Sequence, residues 1–194
     1  MPRHYDGIFG WFDFDDIYRE ANEKFDNSFF CEIGSFQGRS ACYLAELITE
    51  SKKNNKLVCV DLWPTPEELK EKAALGVGQG EEAQRILSLP KSVLETFCDN
   101  LDRAGVRDCV FPIRQNSSLA AALFPDEYFS FIFVDAGHSY DMVMKDLKAW
   151  YPKLKKGGIF AGHDYDSEGV ARAVRDYFGK DLTTRRGSFY MVKE

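Results

Sequence analysis

The sequence predicts an α/β fold, a parallel sheet with helices on both faces. Two observations carry this. Short apolar runs of strand length, Phe29–Ile33, Leu57–Asp61, Ser130–Asp135 and Gly158–Gly162, alternate with stretches of helical periodicity. Strand–helix alternation of this kind builds parallel sheets. The runs lead into glycine, acidic and other polar residues, and open parallel sheets place their ligands along that carboxyl edge. A chain of 194 residues suits one domain, 1–194, with one core.

The elements follow in order. An acidic helix over 13–25 opens the chain, with Phe14, Ile17, Tyr18, Ala21 and Phe25 near helical spacing and Asp13 placed to cap it. Strand 29–34 and helix 39–52 follow, then the Asn54-Asn55 turn and strand 57–61. Segment 63–90 departs from a minimal α/β unit. It opens Trp63-Pro64-Thr65-Pro66 and holds the glycine patch 76–80, flanked by polar helices. Such segments seldom pack rigidly, so 63–90 is expected to be a mobile lid or substrate insertion. A helix at 91–104, strands at 109–113 and 130–135, a helix from 140 to 150 and a strand at 158–162 complete the alternation. Arg172–Phe178 reads as a helix. Leu182–Thr184 and Ser188–Val192 read as a hairpin turning near Arg186-Gly187.

Composition bounds the function. Apolar content of 44% and charge of 29% are those of a globular chain, and a net charge of -6 argues against a nucleic-acid partner. No apolar run reaches the ~18 residues of a membrane span, and Met1–Asp6 carries no apolar signal region. Cys31, Cys59 and Cys109 fall in apolar contexts and Cys42 on a helix, which predicts reduced core thiols and a cytoplasmic protein. A homo-oligomer stays open.

The strongest local signal is Glu32-Ile33-Gly34-Ser35-Phe36-Gln37-Gly38-Arg39-Ser40. Gly34 and Gly38 clear side chains from a backbone that a ligand could approach. Ser40 can cap the helix that follows, and the helix start offers free N–H groups and a positive dipole end. Two readings stand here, a nucleotide-type pocket or an ordinary strand–glycine–helix turn. Asp61, ending the second strand, suits a ribose contact. The G-x-G-x-x-G spacing of dinucleotide dehydrogenases is absent.

Glu32-Ile33-Gly34-Ser35 with Gly38 and Ser40, Val60-Asp61-Leu62-Trp63, Asp135-Ala136-Gly137-His138-Ser139-Tyr140, Leu154–Gly158 and Gly162-His163-Asp164-Tyr165 together resemble class I S-adenosylmethionine (SAM)-dependent methyltransferases. The likeness is to the small O-methyltransferase group that includes macrolide-sugar O-methyltransferases and cephalosporin-hydroxylase-like proteins. It implies a Rossmann-like, seven-stranded, mostly parallel sheet with an antiparallel closing hairpin, and methyl transfer from SAM to a hydroxyl of a small polar molecule. The donor would be held by Glu32, Gly34, Ser35, Gly38, Ser40, Asp61, Leu62, Asn116, Ser117 and Asp135. Asn116-Ser117 would meet the adenine, or cap a helix at 118–121, or do both. A divalent metal, Mg²⁺ or Mn²⁺, would sit on Asp135 and Asp164 with His163 as a third ligand, and His138 would be the general base. Imidazole suits Mn²⁺, Fe²⁺ or Zn²⁺ better than Mg²⁺, so the metal differs, or His163 faces elsewhere, or no metal binds.

Other residues carry two readings each. Trp63 stacks on the adenosine or walls the acceptor pocket, or is a half-buried surface aromatic. Tyr140 and Tyr165 orient the acceptor or only pack. Gly10-Trp11-Phe12 covers the site mouth or a partner subunit, or docks on the core. Asp146 and Lys148 are expected on a solvated helix face. The rival to an enzyme is a SAM- or nucleoside-binding protein without methyl transfer; an oxidoreductase reading is disfavoured by the missing dinucleotide fingerprint.

Overall fold

The computed structural model describes residues 4–74 and 86–194. The glycine patch 76–80, and with it much of the expected lid, lies outside the described residues. Seven strands form one sheet: β1 (Phe29–Ile33), β2 (Lys56–Asp61), β3 (Val110–Arg114), β4 (Phe129–Val134), β5 (Leu154–Gly162), β6 (Thr183–Arg185) and β7 (Ser188–Val192). Their order is β3-β2-β1-β4-β5-β7-β6. The first five run parallel, and β7 joins β5 and β6 antiparallel. The expected architecture, closing hairpin included, is what the chain adopts.

Side-chain alternation sorts β4 between two cores. Phe131 and Phe133 face the layer of α1 (Asp15–Lys24), α2 (Arg39–Ser51) and α4 (Val93–Ala104). Ile132 and Val134 face α6 (Tyr140–Trp150) and α7 (Glu168–Phe178). Both faces are covered, so β4 is buried at every position and reads as an unbroken apolar run. α3 (Pro66–Ala74) opens segment 63–90, and the short α5 (Ser117–Ala120) follows β3.

Element ends differ from the sequence reading in instructive ways. α1 starts at Asp15 after Phe14, with no side-chain cap; Asp13 instead reaches His163. α2 is capped by Gly38 at φ 87 rather than by Ser40, because a Cβ there would press into the Phe97 ring. α4 starts at Val93, inside the expected 91–104, behind a capping box between Ser92 and Glu95. β5 begins at Leu154, four residues early, its first pair to Phe129 separated by a bulge. α7 starts at Glu168 rather than Arg172. Among the described residues all five cysteines are free, and no helix is long and apolar enough to cross a membrane.

Candidate active site

The chain reverses direction across the sheet between β1 and β4, and such a switch point opens a crevice at the carboxyl edge. Here the crevice is closed at its base by backbone contact. Gly34, at φ 91, lies so near β4 that a Cβ would stand 1.9 Å from the Asp135 carbonyl oxygen. The Asp135 N–H donates to Ile33 O at 2.7 Å, and the Gly34 N–H to Val60 O at 2.8 Å. Gly34 is therefore glycine for close approach as well as for its left-handed backbone.

Two cavities flank this contact. The first, of about 530 Å³, is lined by Asp61, Leu62, Trp63, Asn116, Ser117 and Asp146, among others. The second, of about 410 Å³, is lined by Phe9, Trp11, Arg39, His138, His163 and Asp164, among others. Gly34, Phe36, Asp135 and Ala136 line both. Volumes of this size suit small ligands.

Glu32 lies beneath the turn, 1% exposed and on neither wall. The Tyr18 hydroxyl donates to its Oε1 at 2.7 Å and the Ser35 hydroxyl to its Oε2 at 2.6 Å. Burial raises its pKa, while bonds from Ser35, Ser40 and Tyr18 oppose that. Ser40 thus serves Glu32 rather than the helix. Glu32 holds the loop from behind, and a ligand contact would have to pass through Ser35 or the backbone.

Asp61 joins two loops. Its Oδ2 accepts the Phe36 N–H and its Oδ1 the Trp63 N–H, both at 2.9 Å. Burial pushes this carboxyl up, against backbone N–H groups of Trp63, Phe36, Leu62 and Ser35 that hold it down. Phe36 and Trp63 are both left-handed, at φ 44 and 39. Trp63 is 1% exposed; its indole N–H donates to Phe36 O at 2.7 Å and its ring packs on Phe97. It is a fixed wall rather than a surface aromatic. Leu62 and Asn116 line the first cavity beside it, as does Ser117.

At the second cavity, His138 Nε2 lies 2.9 Å from Asp164 Oδ2. Asp135, His138 and Asp164 each offer a ligand atom, all within 4.8 Å of one another. His163 is outside that group: its Nε2 is 3.0 Å from Asp13 Oδ1, and its Nδ1 is 3.5 Å from Asp164 Oδ2 and 3.8 Å from Asp135 Oδ1. The structure brings His138 to the two carboxylates and turns His163 toward the N-terminal segment, of which Gly10 and Trp11 line this cavity while Phe12 docks on the core. Burial pushes the Asp135 carboxyl up to about 7; the His163 charge opposes this, and Asp164, Glu32 and Asp13 add to it. Two carboxylates and an imidazole at this spacing form a donor set that fits a divalent cation such as Mn²⁺, the carboxylates suiting it best.

Tyr140 and Tyr165 do not line either cavity. The Tyr140 hydroxyl donates to Asp176. The largest departure from expectation is Asp146, which is 5% exposed and faces the first cavity rather than solvent. Burial raises its carboxyl to about 6, opposed by a hydrogen bond from Ser117. A signal was present: Val143, Leu147 and Trp150 mark the buried stripe of α6, and position 146 falls on it by helical spacing.

Among curated proteins none matches the chain. Among solved structures, the O-methyltransferase NovP is 18% identical and covers 92% of this chain and 78% of its own, with a TM-score of 0.68. The calicheamicin methyltransferase CalS11 is 17% identical over 92% of this chain and 76% of its own, with a TM-score of 0.62. The SAM-dependent O-methyltransferase TM0748 from Thermotoga maritima is 13% identical over 93% of this chain and 57% of its own, also at 0.62. At these identities the likeness is one of fold. The methyltransferase-domain family itself matches residues 31–165, more than half of the chain and the whole span from the glycine turn to Tyr165. On that match, the chain belongs to the methyltransferase-domain family.

Proposed function

We propose that this protein transfers a methyl group from SAM to a hydroxyl of a small polar molecule, with His138 as the base and a divalent cation assisting. The observation that carries the reading is the pair of cavities meeting at Gly34, Phe36, Asp135 and Ala136. A donor in the first and an acceptor in the second would face each other across that shared wall. Its fold neighbours NovP and CalS11 are both O-methyltransferases or methyltransferases by name, which supports the same chemistry.

SAM supplies an activated methyl: the C–S bond breaks as the O–C bond forms, and the thioether sulfur keeps the electron pair. The chain's residues align and deprotonate. Asp61 and Asn116 would hold the ribose and base in the first cavity, and the bare backbone at Gly34 leaves room for the sulfonium. Alignment alone can supply several kcal/mol. Phe9, Trp11 and Phe36 give the second cavity an aromatic wall, suited to a ring-bearing acceptor. His138 would take the hydroxyl proton, with Asp164 orienting its ring through the 2.9 Å contact. A divalent cation held by Asp135 and Asp164 would stabilise the negative charge developing on the acceptor.

The compact Asp135–His138–Asp164 group favours a second reading, in which His138 is itself a cation ligand. Calorimetry separates the two. S-adenosylhomocysteine should bind the wild type, and Asp164→Ala should lose Mn²⁺ binding while keeping the nucleoside. Mn²⁺ affinity unchanged in His138→Ala supports the base; a loss of Mn²⁺ binding as complete as that of Asp164→Ala makes His138 a ligand, since losing a residue that only supports a ligand costs ~10–100-fold. A wild type that binds no S-adenosylhomocysteine refutes the donor reading. One that binds it but methylates no hydroxylated acceptor is a nucleoside-binding protein instead.

A further inference from the structure

We propose that Asp146 reads the 6-amino group of the donor's adenine, making this helix carboxylate the residue that sets nucleobase specificity. The inference rests on the SAM reading above and deepens it. The observations are geometric. Asp146 is 5% exposed, lines the first cavity, and has no cationic partner among the described residues. Its one hydrogen-bonding neighbour there is the Ser117 hydroxyl.

An ionised carboxylate only accepts, so the Ser117 hydroxyl donates to Asp146, and a third residue leaves that hydrogen free to do so. The Trp150 indole N–H donates to Ser117 Oγ at 2.8 Å, and an indole nitrogen is donor only. The Ser117 oxygen is thus engaged as an acceptor, and its own hydrogen is directed to Asp146. A carboxylate has about four lone-pair sites, and Ser117 uses one. The cavity that Asp146 lines has apolar walls at Leu62, Ile86 and Met142 and polar ones at Gln115, Asn116 and Lys145, and no ion pair joins Lys145 to Asp146. A buried carboxylate so placed is costly until a donor arrives. The matching ligand group is therefore an N–H donor beside flat apolar contacts.

Position selects which part of the donor this is. The sulfonium must lie at the wall shared with the acceptor cavity, at Gly34 and Asp135. Asp146 and Ser117 line the first cavity only. The base is the part of the molecule farthest from sulfur. Adenine presents a 6-amino donor on its edge, whereas hypoxanthine presents a 6-oxo acceptor, which would face Asp146 with repulsion. Gly137 supports the arrangement, since a Cβ there would lie 2.2 Å from the Met142 terminal methyl and displace a cavity wall.

The test compares S-adenosylhomocysteine with S-inosylhomocysteine by calorimetry at pH 7.5. The wild type should prefer the adenine form by ~10-fold or more. In Asp146→Asn the side-chain amide can donate to the 6-oxo group, and the preference should collapse to within ~3-fold. Equal binding of both by the wild type overturns the inference without any variant and leaves the donor reading standing. An undiminished preference in folded Asp146→Asn also overturns it, leaving Asp146 as a brace for Ser117. Failure of the wild type to bind either nucleoside overturns both proposals.

Discussion

Asp61→Asn changes one atom and tests whether the two loops of the site are held by a single carboxylate. The side chain keeps its volume, but one oxygen becomes an NH₂ donor. Whichever way the amide turns, it points that donor at the backbone N–H of Phe36 or of Trp63, each of which now donates to an oxygen at 2.9 Å. One charge-assisted bond is lost, at ~1.5–3 kcal/mol, and the other becomes neutral and weaker. Both backbones are left-handed, at φ 44 and 39, a state that costs ~1–2 kcal/mol per residue and needs a compensating contact. Against this, burial already raises the pKa of Asp61, so removing the charge recovers some desolvation. The net loss expected is ~2–3 kcal/mol. For a domain of this size that is a fall in Tm of roughly 4–12 °C, read by circular dichroism at pH 7.5. S-adenosylhomocysteine affinity should fall in parallel, because Asp61 lines the first cavity and Phe36 lines both. A variant melting within about 1 °C of wild type would refute the clamp.

Two further outcomes follow from the same structure. Asp146 has its pKa raised by burial from 3.8 to about 6, so the folded state holds its proton more tightly than the unfolded chain, and wild-type stability falls as pH rises through that window. Denaturant titrations at pH 4 and pH 7.5 should therefore show the stability of Asp146→Asn relative to wild type rising by roughly 2–2.5 kcal/mol; a pH-independent difference would count against the buried placement. Gly34→Ala should not yield folded protein, since its Cβ meets backbone 1.9 Å away. Gly137→Ala meets only the flexible end of Met142 at 2.2 Å and should fold, yet bind S-adenosylhomocysteine less tightly. Similar solubility and melting for the two alanine variants would contradict these contacts.

The sheet was legible because burial on both faces leaves runs such as Phe129–Val134 without polar interruption. What blurred was local chemistry that contradicts the tertiary answer. The strand reads from Gly158, after the polar Lys155 and Lys156, yet β5 begins at Leu154, which reaches back to pair with Phe129. Gly169 hid the first turn of α7; it is glycine because a Cβ would lie 2.3 Å from His138 O. Strand ends drew attention to Asp61 and Asp135, and both line cavities at the sheet edge. Partnerships between distant residues had no sequence signal. Asp13 and His163 meet across 150 positions, and only the fold shows that His163 faces Asp13 while His138 turns to Asp164. Asp146 is different. Its place on the apolar stripe of α6 was readable, but a charged residue invites a solvated reading unless the stripe is followed through it.

The division of labour within the site follows from which elements carry it. The wall between the two cavities is built by β1 and β4, through the Gly34–Asp135 approach and the Asp135 N–H to Ile33 O bond. These strands are central and buried on both faces, so the relative placement of donor and acceptor is set by the most rigid part of the molecule. The second cavity is completed by Phe9, Gly10 and Trp11, from a segment anchored on the core by Ile8, Phe12 and Phe14 and by polar contacts from Arg39 to Gly10 O at 2.6 Å and from Asp13 to His163. Trp11 is 66% exposed. If the second cavity takes the acceptor as proposed, substitution of Trp11 should alter acceptor fit without disturbing the β1–β4 contact, to which Phe9, Gly10 and Trp11 do not contribute. On the proposed reading, acceptor choice and methyl-transfer alignment are therefore separable, and a Trp11 variant should change acceptor preference while leaving S-adenosylhomocysteine affinity as in the wild type.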